Sequence, residues 1–125
     1  MALADITIAD GQSSPVNHTF AYTGTVSGNR VVRQELAAPV EQPIILSIAH
    51  QKVRRNGIGI TQHLYRIDRT VLDSDNITGF LNNIRLAADI SDKVLSDALA
   101  DDFAAFIRNW ATSANIRAWL RGSVF

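Results

Sequence analysis

The sequence predicts an α+β protein in which an N-terminal β-hairpin and an antiparallel sheet are followed by two C-terminal helices. Three observations carry this. Apolar and polar residues alternate with period two in several runs between Ala4 and Ile90, as in half-buried strands. A basic Asn-Gly turn, Arg54-Arg55-Asn56-Gly57, joins the two longest runs, and Asn-Gly is the strongest short-range hairpin signal. After Ser91 the apolar period changes to three and four residues, that of an amphipathic helix.

Ala4–Ala9 reads as a short strand with Ile6 and Ile8 on one face, closed by the turn residues Asp10 to Pro15. Val16–Thr23 alternates again, with His18, Phe20 and Tyr22 together, so residues 4–23 form a hairpin. Gly24–Asn29 reads as a loop and Asn29–Leu36 as a third strand. Pro39 and Pro43 then stop pairing. From Pro43 to Arg69 runs the long central hairpin. Ile44, Leu46 and Ile48 point one way; Ile45, Ser47, Ala49 and Gln51 point the other. Val71–Gly79 is a polar loop containing Asp73, Ser74, Asp75 and Asn76. Phe80–Ile90 is the last long strand, with Leu81, Asn83, Arg85, Ala87 and Asp89 on one face. The sheet thus spans 29–90.

The helices fall within 92–121. Leu95, Leu99, Phe103, Phe106, Ile107 and Trp110 form the apolar stripe of the first, with Ser91 or Asp92 as its N-cap. Ala111-Thr112-Ser113 breaks it. Ala114–Arg121 is a second, short helix carrying Ile116, Trp119 and Leu120, stopped by Gly122, and Val124 and Phe125 make an apolar terminus. One such helix cannot cover four long strands, and a monomer struggles to bury both Trp side chains. A two-fold dimer answers both difficulties: the sheets join edge to edge and each pair of helices crosses onto the partner.

A length of 125 residues suits a single domain. Twelve basic and twelve acidic residues cancel, but their distribution is uneven. Between Arg30 and Arg69 seven Lys/Arg stand against three acids, whereas five Asp stand against one Lys between Asp89 and Asp102. A basic sheet region of this kind hints at a polyanion. Cysteine is absent, which excludes disulfides and thiolate zinc sites. No apolar run approaches the roughly 20 residues of a membrane span, and MALADITIADG lacks the features of a signal peptide. A soluble, cytoplasmic product without a membrane partner is expected.

Motifs of catalysis are missing: no Gly-x-Ser-x-Gly, no phosphate-binding Gly-rich loop, no His-Glu-x-x-His. Asp73-Ser74-Asp75-Asn76 is like the start of a calcium loop but lacks its later Gly and Glu. The histidines His18, His50 and His63 have no helical metal spacing, so a metal site would have to be assembled across strands. No enzyme, cofactor or resident metal is expected. The wet sheet face is more informative. Ser47, Gln51, Asn83 and Arg85 sit at alternating positions, with Lys52, Arg54 and Arg55 close by. Hydroxyl, amide and guanidinium groups suit phosphates and the edges of unpaired bases.

The order of elements, together with LSIAHQ before a basic turn, HLYRIDRTVLD, and NNIRLAADIS leading into the helix, resembles the coat proteins of single-stranded RNA bacteriophages across essentially the whole chain. The resemblance implies an interlocked homodimer with one continuous sheet, assembled into an icosahedral shell in the host cytoplasm and located in the virion. It implies that the inner sheet face binds single-stranded genomic RNA. In several members that face also binds an RNA hairpin that represses replicase translation. By position the inner-face candidates are Ser47, Ala49, Gln51, Asn83 and Arg85. Many members carry a basic residue where Ala49 stands. On Ile58–Arg69 either Thr61, His63 and Tyr65 or Gln62, Leu64 and Arg66 face inward, since a bulge near Gly57 or Gly59 would exchange them. Gln62 and Arg66 are favoured for RNA because Tyr65 and Ile67 prefer cover. The loop Asp73–Asn76 is expected to be flexible and to make contacts between dimers. Leu95, Leu99, Phe103, Phe106, Trp110 and Trp119 would form the helix core of the dimer. The alternative is a cellular dimeric α+β RNA-binding regulator with no shell.

Overall fold

The computed structural model describes residues 4–122, so Val124 and Phe125 lie outside the described residues. Six strands and two helices follow one another: β1 (Ile6–Ala9), β2 (Asn17–Ser27), β3 (Arg30–Glu35), β4 (Ile44–Arg55), β5 (Ile58–Leu72), β6 (Gly79–Ser91), α1 (Asp97–Trp110) and α2 (Ser113–Leu120). The chain falls into two compact units, Met1–Ile90 and Ser91–Phe125.

The first unit is one sheet in sequence order, β1 to β6, antiparallel at each resolved pairing. Its centre is the β4–β5 hairpin. Asn56 (φ 52°) and Gly57 (φ 76°) both take positive φ, as a two-residue hairpin turn with the right-handed strand twist requires. The ladder runs without a shift from Arg55 opposite Ile58 to Ile44 opposite Arg69. β2 differs from expectation: it continues through Gly24 to Ser27. Gly24 (φ 82°) absorbs a register shift between Tyr22 and Val26, and the turn is confined to Gly28 and Asn29. β5 likewise extends three residues further, to Leu72.

Cross-strand partners share a face, so the register sorts the sheet. One face carries Ile6, Ile8, Phe20, Ile44, Leu46, Ile48, Tyr65 and Ile67. Leu46 is 0% and Phe20 3% exposed, and burial raises the Tyr65 phenol above its usual range. A cleft of about 210 Å³ on this face is floored by Ile8, Phe20, Ile44 and Ile67, with His18, Asp10 and Arg69 at its margin. The cleft margin holds the hairpin's polar tie. The His18 ring meets Asp10 Oδ2 at 3.0 Å through Nε2 and Glu35 Oε1 at 2.7 Å through Nδ1. Asp10 also accepts from the backbone amides of Gln12 and Val16. One imidazole therefore joins the β1–β2 turn to β3.

In the second unit the N-cap of α1 is Ser96, which accepts from the Leu99 amide; Ser91 and Asp92, the expected caps, lie outside the helix. The Ser91 hydroxyl instead accepts from the Lys93 amide and its carbonyl from the Val94 amide, closing a separate turn. Leu95 consequently precedes the helix. Thr112 caps α2, and the Asn115 side-chain amide donates to the Trp110 carbonyl, fixing the break. Gly122 (φ 79°) ends α2, its amide bonded to the Trp119 carbonyl. Phe103 packs edge-on to Phe106, and Trp110 to Trp119 with ring centres 6.2 Å apart. Neither helix has a buried residue. No described helix is long and apolar enough to cross a membrane.

The polar tie sets a pH window. Hydrogen bonds to Asp10 and then Glu35 raise the His18 pKa above 6.5, and the bond from His18 lowers that of Asp10 below 3.8. The His18 contribution is complete below its unfolded pKa and disappears as pH rises through the raised folded value. The Asp10 contribution is complete above its unfolded pKa and disappears as pH falls through the lowered one. Urea midpoints of the wild type should therefore decline above neutrality, and His18→Ala should flatten that decline. An unchanged slope in the variant would show that the tie is not charged.

Candidate nucleic-acid interface

The second face of the sheet carries Arg30, Gln34, Ile45, Ser47, Ala49, Gln51, Arg55, Gln62, Leu64, Arg66 and Asp68, all fixed by the ladders of β3, β4 and β5. The uninterrupted register places Gln62, Leu64 and Arg66 with Ser47, and Thr61, His63 and Tyr65 opposite them. β6 joins this face through Asp89, which accepts from Arg55 Nη1 at 3.3 Å. Its alternation brings Ala87, Arg85 and Asn83 to the same side.

At the centre, Ser47 is 1% exposed and accepts from Arg30 Nη2 at 3.0 Å. The Arg30 Nε is buried and has no hydrogen-bond partner. Arg30 stands directly opposite Ala49. A guanidinium from the neighbouring strand thus stands beside position 49. The sequence alone marks Arg30 only as one of the basic residues between Arg30 and Arg69. Its signal was the period-two pattern of β3, which means little until the partner strand is known.

Beside this point lies a hollow of about 310 Å³ lined by Asn29, Ala49, Gln51, Gln62, His63, Leu64, Ala87 and Asp89. Gln51 and Gln62 are cross-strand partners, so two primary amides with both donors and acceptors flank its apolar floor. Such a combination can take a planar group with polar edges. The remaining charges are partly neutralised. Arg66 donates to Asp68 Oδ1 through Nε at 2.9 Å and Nη2 at 2.8 Å. Arg85 Nε donates to Asn83 Oδ1 at 3.3 Å and stays exposed. The Arg55–Asp89 pair is about half exposed at both ends and contributes little to stability.

Two basic residues grouped with this face by sequence proximity are elsewhere. Lys52 and Arg54 pair with Thr61 and Gly59 and lie on the face of Leu46. The strand runs to Arg55, so the pleat still alternates at the end of the hairpin and separates them from Gln51 and Arg55. Asp73, Ser74, Asp75 and Asn76 form the β5–β6 connection. It is closely bonded: the Asp73 amide donates to the Thr78 carbonyl, and Asp75 accepts from the Ile77 and Thr78 amides and the Thr78 hydroxyl. The backbone bonds from Thr78 and then Ile77 hold the Asp75 carboxyl below its usual pKa. The expected helix core is open in the single chain: Phe106 is 67%, Trp110 43% and Trp119 48% exposed, and Leu99 is half-buried.

The fold is one shared by bacteriophage coat proteins and the subunits of virus-like particles. The virus-like particle of bacteriophage ESE058 superposes with a TM-score of 0.76 at 18% identity, covering 100% of both chains. That of bacteriophage NT-214 gives 0.67 at 22% identity over 98% of each chain. The bacteriophage EMS014 coat protein gives 0.67 at 17% identity, covering 90% of this chain and 79% of its own. No family model matches the chain, and no curated protein matches it by sequence. The resemblance read from the residues is therefore met at the level of fold.

The β5–β6 connection yields a direct test. Asp75→Ala removes three acceptor bonds, and exchange of the Ile77 and Thr78 amides with solvent should quicken by a few-fold. Protonating Asp75 should do the same: its bonds are complete above the unfolded pKa and weaken as pH falls through the lowered one. Exchange rates equal to the wild type's would show that the backbone turn holds alone.

Proposed function

We propose that this chain is a capsid protein of a single-stranded RNA bacteriophage, which dimerises, assembles into an icosahedral shell and packages RNA on the face of Ser47, Gln51 and Gln62. The observation that carries the capsid reading is the likeness to coat proteins over the whole length of the chain. The exposed apolar surface supports assembly. Phe80, Leu81, Ile84 and Leu86 on the edge strand β6 and Phe103, Phe106, Trp110 and Trp119 on the helices are each 42–67% exposed, more than a lone soluble chain leaves open. A second copy pairing along β6 and covering the helices' apolar sides would bury them. Asp73–Asn76 would meet neighbouring dimers.

RNA is the fitting polyanion for the second face. Arg30, Arg55 and Arg85 can take phosphates, and the amides of Gln51, Gln62 and Asn83 can reach base edges. Arg66 is the weaker candidate because Asp68 engages it. Lys52 and Arg54 would contribute only from the opposite side. The subunit's role is structural, in the phage particle assembled in the bacterial cytoplasm.

Electron microscopy of the protein expressed alone is expected to show uniform hollow particles, with an ultraviolet absorbance ratio indicating packaged RNA. A dimer-sized species that binds RNA without a shell would overturn the capsid reading in favour of a cellular regulator. Within the particles, Arg30→Gln should lower RNA content and reduce the salt slope of RNA binding by about 1, while Arg54→Ala leaves both unchanged. The reverse order would move the interface to the other face. Trp110→Ala should prevent dimerisation by removing about 3–5 kcal/mol of burial; a dimer of normal mass by light scattering would contradict that role.

A further inference from the structure

The face opposite the proposed RNA surface carries a pair of histidines that neither the fold nor that function requires. His50 on β4 and His63 on β5 are direct cross-strand partners. In the antiparallel ladder, hydrogen-bonded and non-hydrogen-bonded pairs alternate from the turn, where Arg55 and Ile58 close the hairpin. His50–His63 falls in the non-hydrogen-bonded class, whose side chains stand closest. The backbone agrees: the His50 amide donates to the Asn29 carbonyl on the other side, and the Asn29 side-chain amide donates to the His50 carbonyl. His50 is thus held from both neighbouring strands. Its ring meets that of His63 edge-on, with Nδ1 to Nδ1 at 2.7 Å. His50 is exposed and His63 half-buried.

We propose that His50 and His63 form a bidentate site for a divalent transition-metal ion, with Cu²⁺ and Ni²⁺ preferred over Zn²⁺. Two ring nitrogens facing one another need only the tautomer with both protons on Nε2 to present two lone pairs to one ion. From a neutral pair this shift releases no proton. The class of metal follows from the donors. The neighbours on the same face are Ile48 and Lys52 on β4, and Thr61 and Tyr65 on β5, and none is a carboxylate. Imidazole nitrogen with water therefore completes the shell, which suits Cu²⁺, Ni²⁺ and Zn²⁺ and rejects Ca²⁺ and Mg²⁺. No third histidine or acid joins the pair among the described residues, so the site is open and exchangeable.

The preference among these ions follows from the bite. With metal–nitrogen bonds of about 2.0–2.1 Å, two ligands at a right angle lie about 2.9 Å apart, and two at the tetrahedral angle about 3.3 Å. The separation of 2.7 Å is near the first value and must widen by about 0.6 Å for the second. Square-planar and tetragonal geometries belong to Cu²⁺ and Ni²⁺, and the general order of divalent affinities places Cu²⁺ above Zn²⁺ as well.

The test is calorimetric titration of the purified full-length protein with Cu²⁺, Ni²⁺ and Zn²⁺ chlorides, with electron paramagnetic resonance of the Cu²⁺ form. One ion per chain, coupling from two ring nitrogens, and weaker binding of Zn²⁺ than of Ni²⁺ are expected. His50→Ala and His63→Ala should each weaken Ni²⁺ binding at least about tenfold, and His18→Ala should leave it unchanged. His63→Gln, which keeps a hydrogen-bonding side chain on the strand, should lose the ion while its circular dichroism and thermal midpoint without metal match the wild type. Absence of binding, binding indifferent to His50 and His63, or dependence on His18 alone would each overturn the site. Zn²⁺ binding as tight as Ni²⁺ would overturn the right-angle geometry.

Discussion

The register of the β4–β5 hairpin is the constraint on which the sheet depends. Asn56 and Gly57 both accept positive φ, so the turn closes with two residues and its parity is fixed. A slip by one residue would exchange the faces of one strand against the other. Leu46 would then share a face with Arg66 and Asp68, and Ser47 with Tyr65 and Ile67. The same parity makes His50 and His63 a close pair and places Gln51 against Gln62. A single local preference thus determines which side of the sheet is dry, which is polar, and where its nitrogen donors meet.

The two faces are stabilised by different physics. On the dry face, Leu46 and Phe20 are the only buried large apolar groups among the described residues, and the His18 tie to Asp10 and Glu35 anchors the terminal hairpin beside them. That is a small core for a sheet of six strands. The apolar area left open on β6 and on both helices is correspondingly large. That exposed area is what the proposed association with further copies would cover.

On the polar face, charge is arranged rather than accumulated. Asp68 and Asp89 offset Arg66 and Arg55, while Arg30 reaches over buried Ser47 with one nitrogen unpartnered. A phosphate there would meet a guanidinium already immobilised by the sheet, at a low cost in side-chain entropy. The formal neutrality of the whole chain is therefore compatible with an anion-binding surface.

By itself the sequence determined the α+β class, the six strands and two helices in order, the central turn, and the opposite facing of Leu46 and Ser47. Each of these rests on local periodicity or on turn chemistry carried by adjacent residues. Boundaries were read less well where two signals competed. Gly24 can sit inside a strand when a register shift absorbs its positive φ, and Ser96 rather than Ser91 is the cap because its side chain stands where it can accept from the Leu99 amide. Lys52 and Arg54 were grouped with Arg55 by proximity although the pleat alone separates them. Tertiary structure decided what pairing decides: Arg30 opposite Ala49, the choice of Gln62 and Arg66 over His63 and Tyr65 for the polar face, and the contact of His50 with His63. The physical reason is that periodicity fixes the relative facing of residues within a strand, whereas a neighbour across the ladder is fixed only when the register of two distant segments is set.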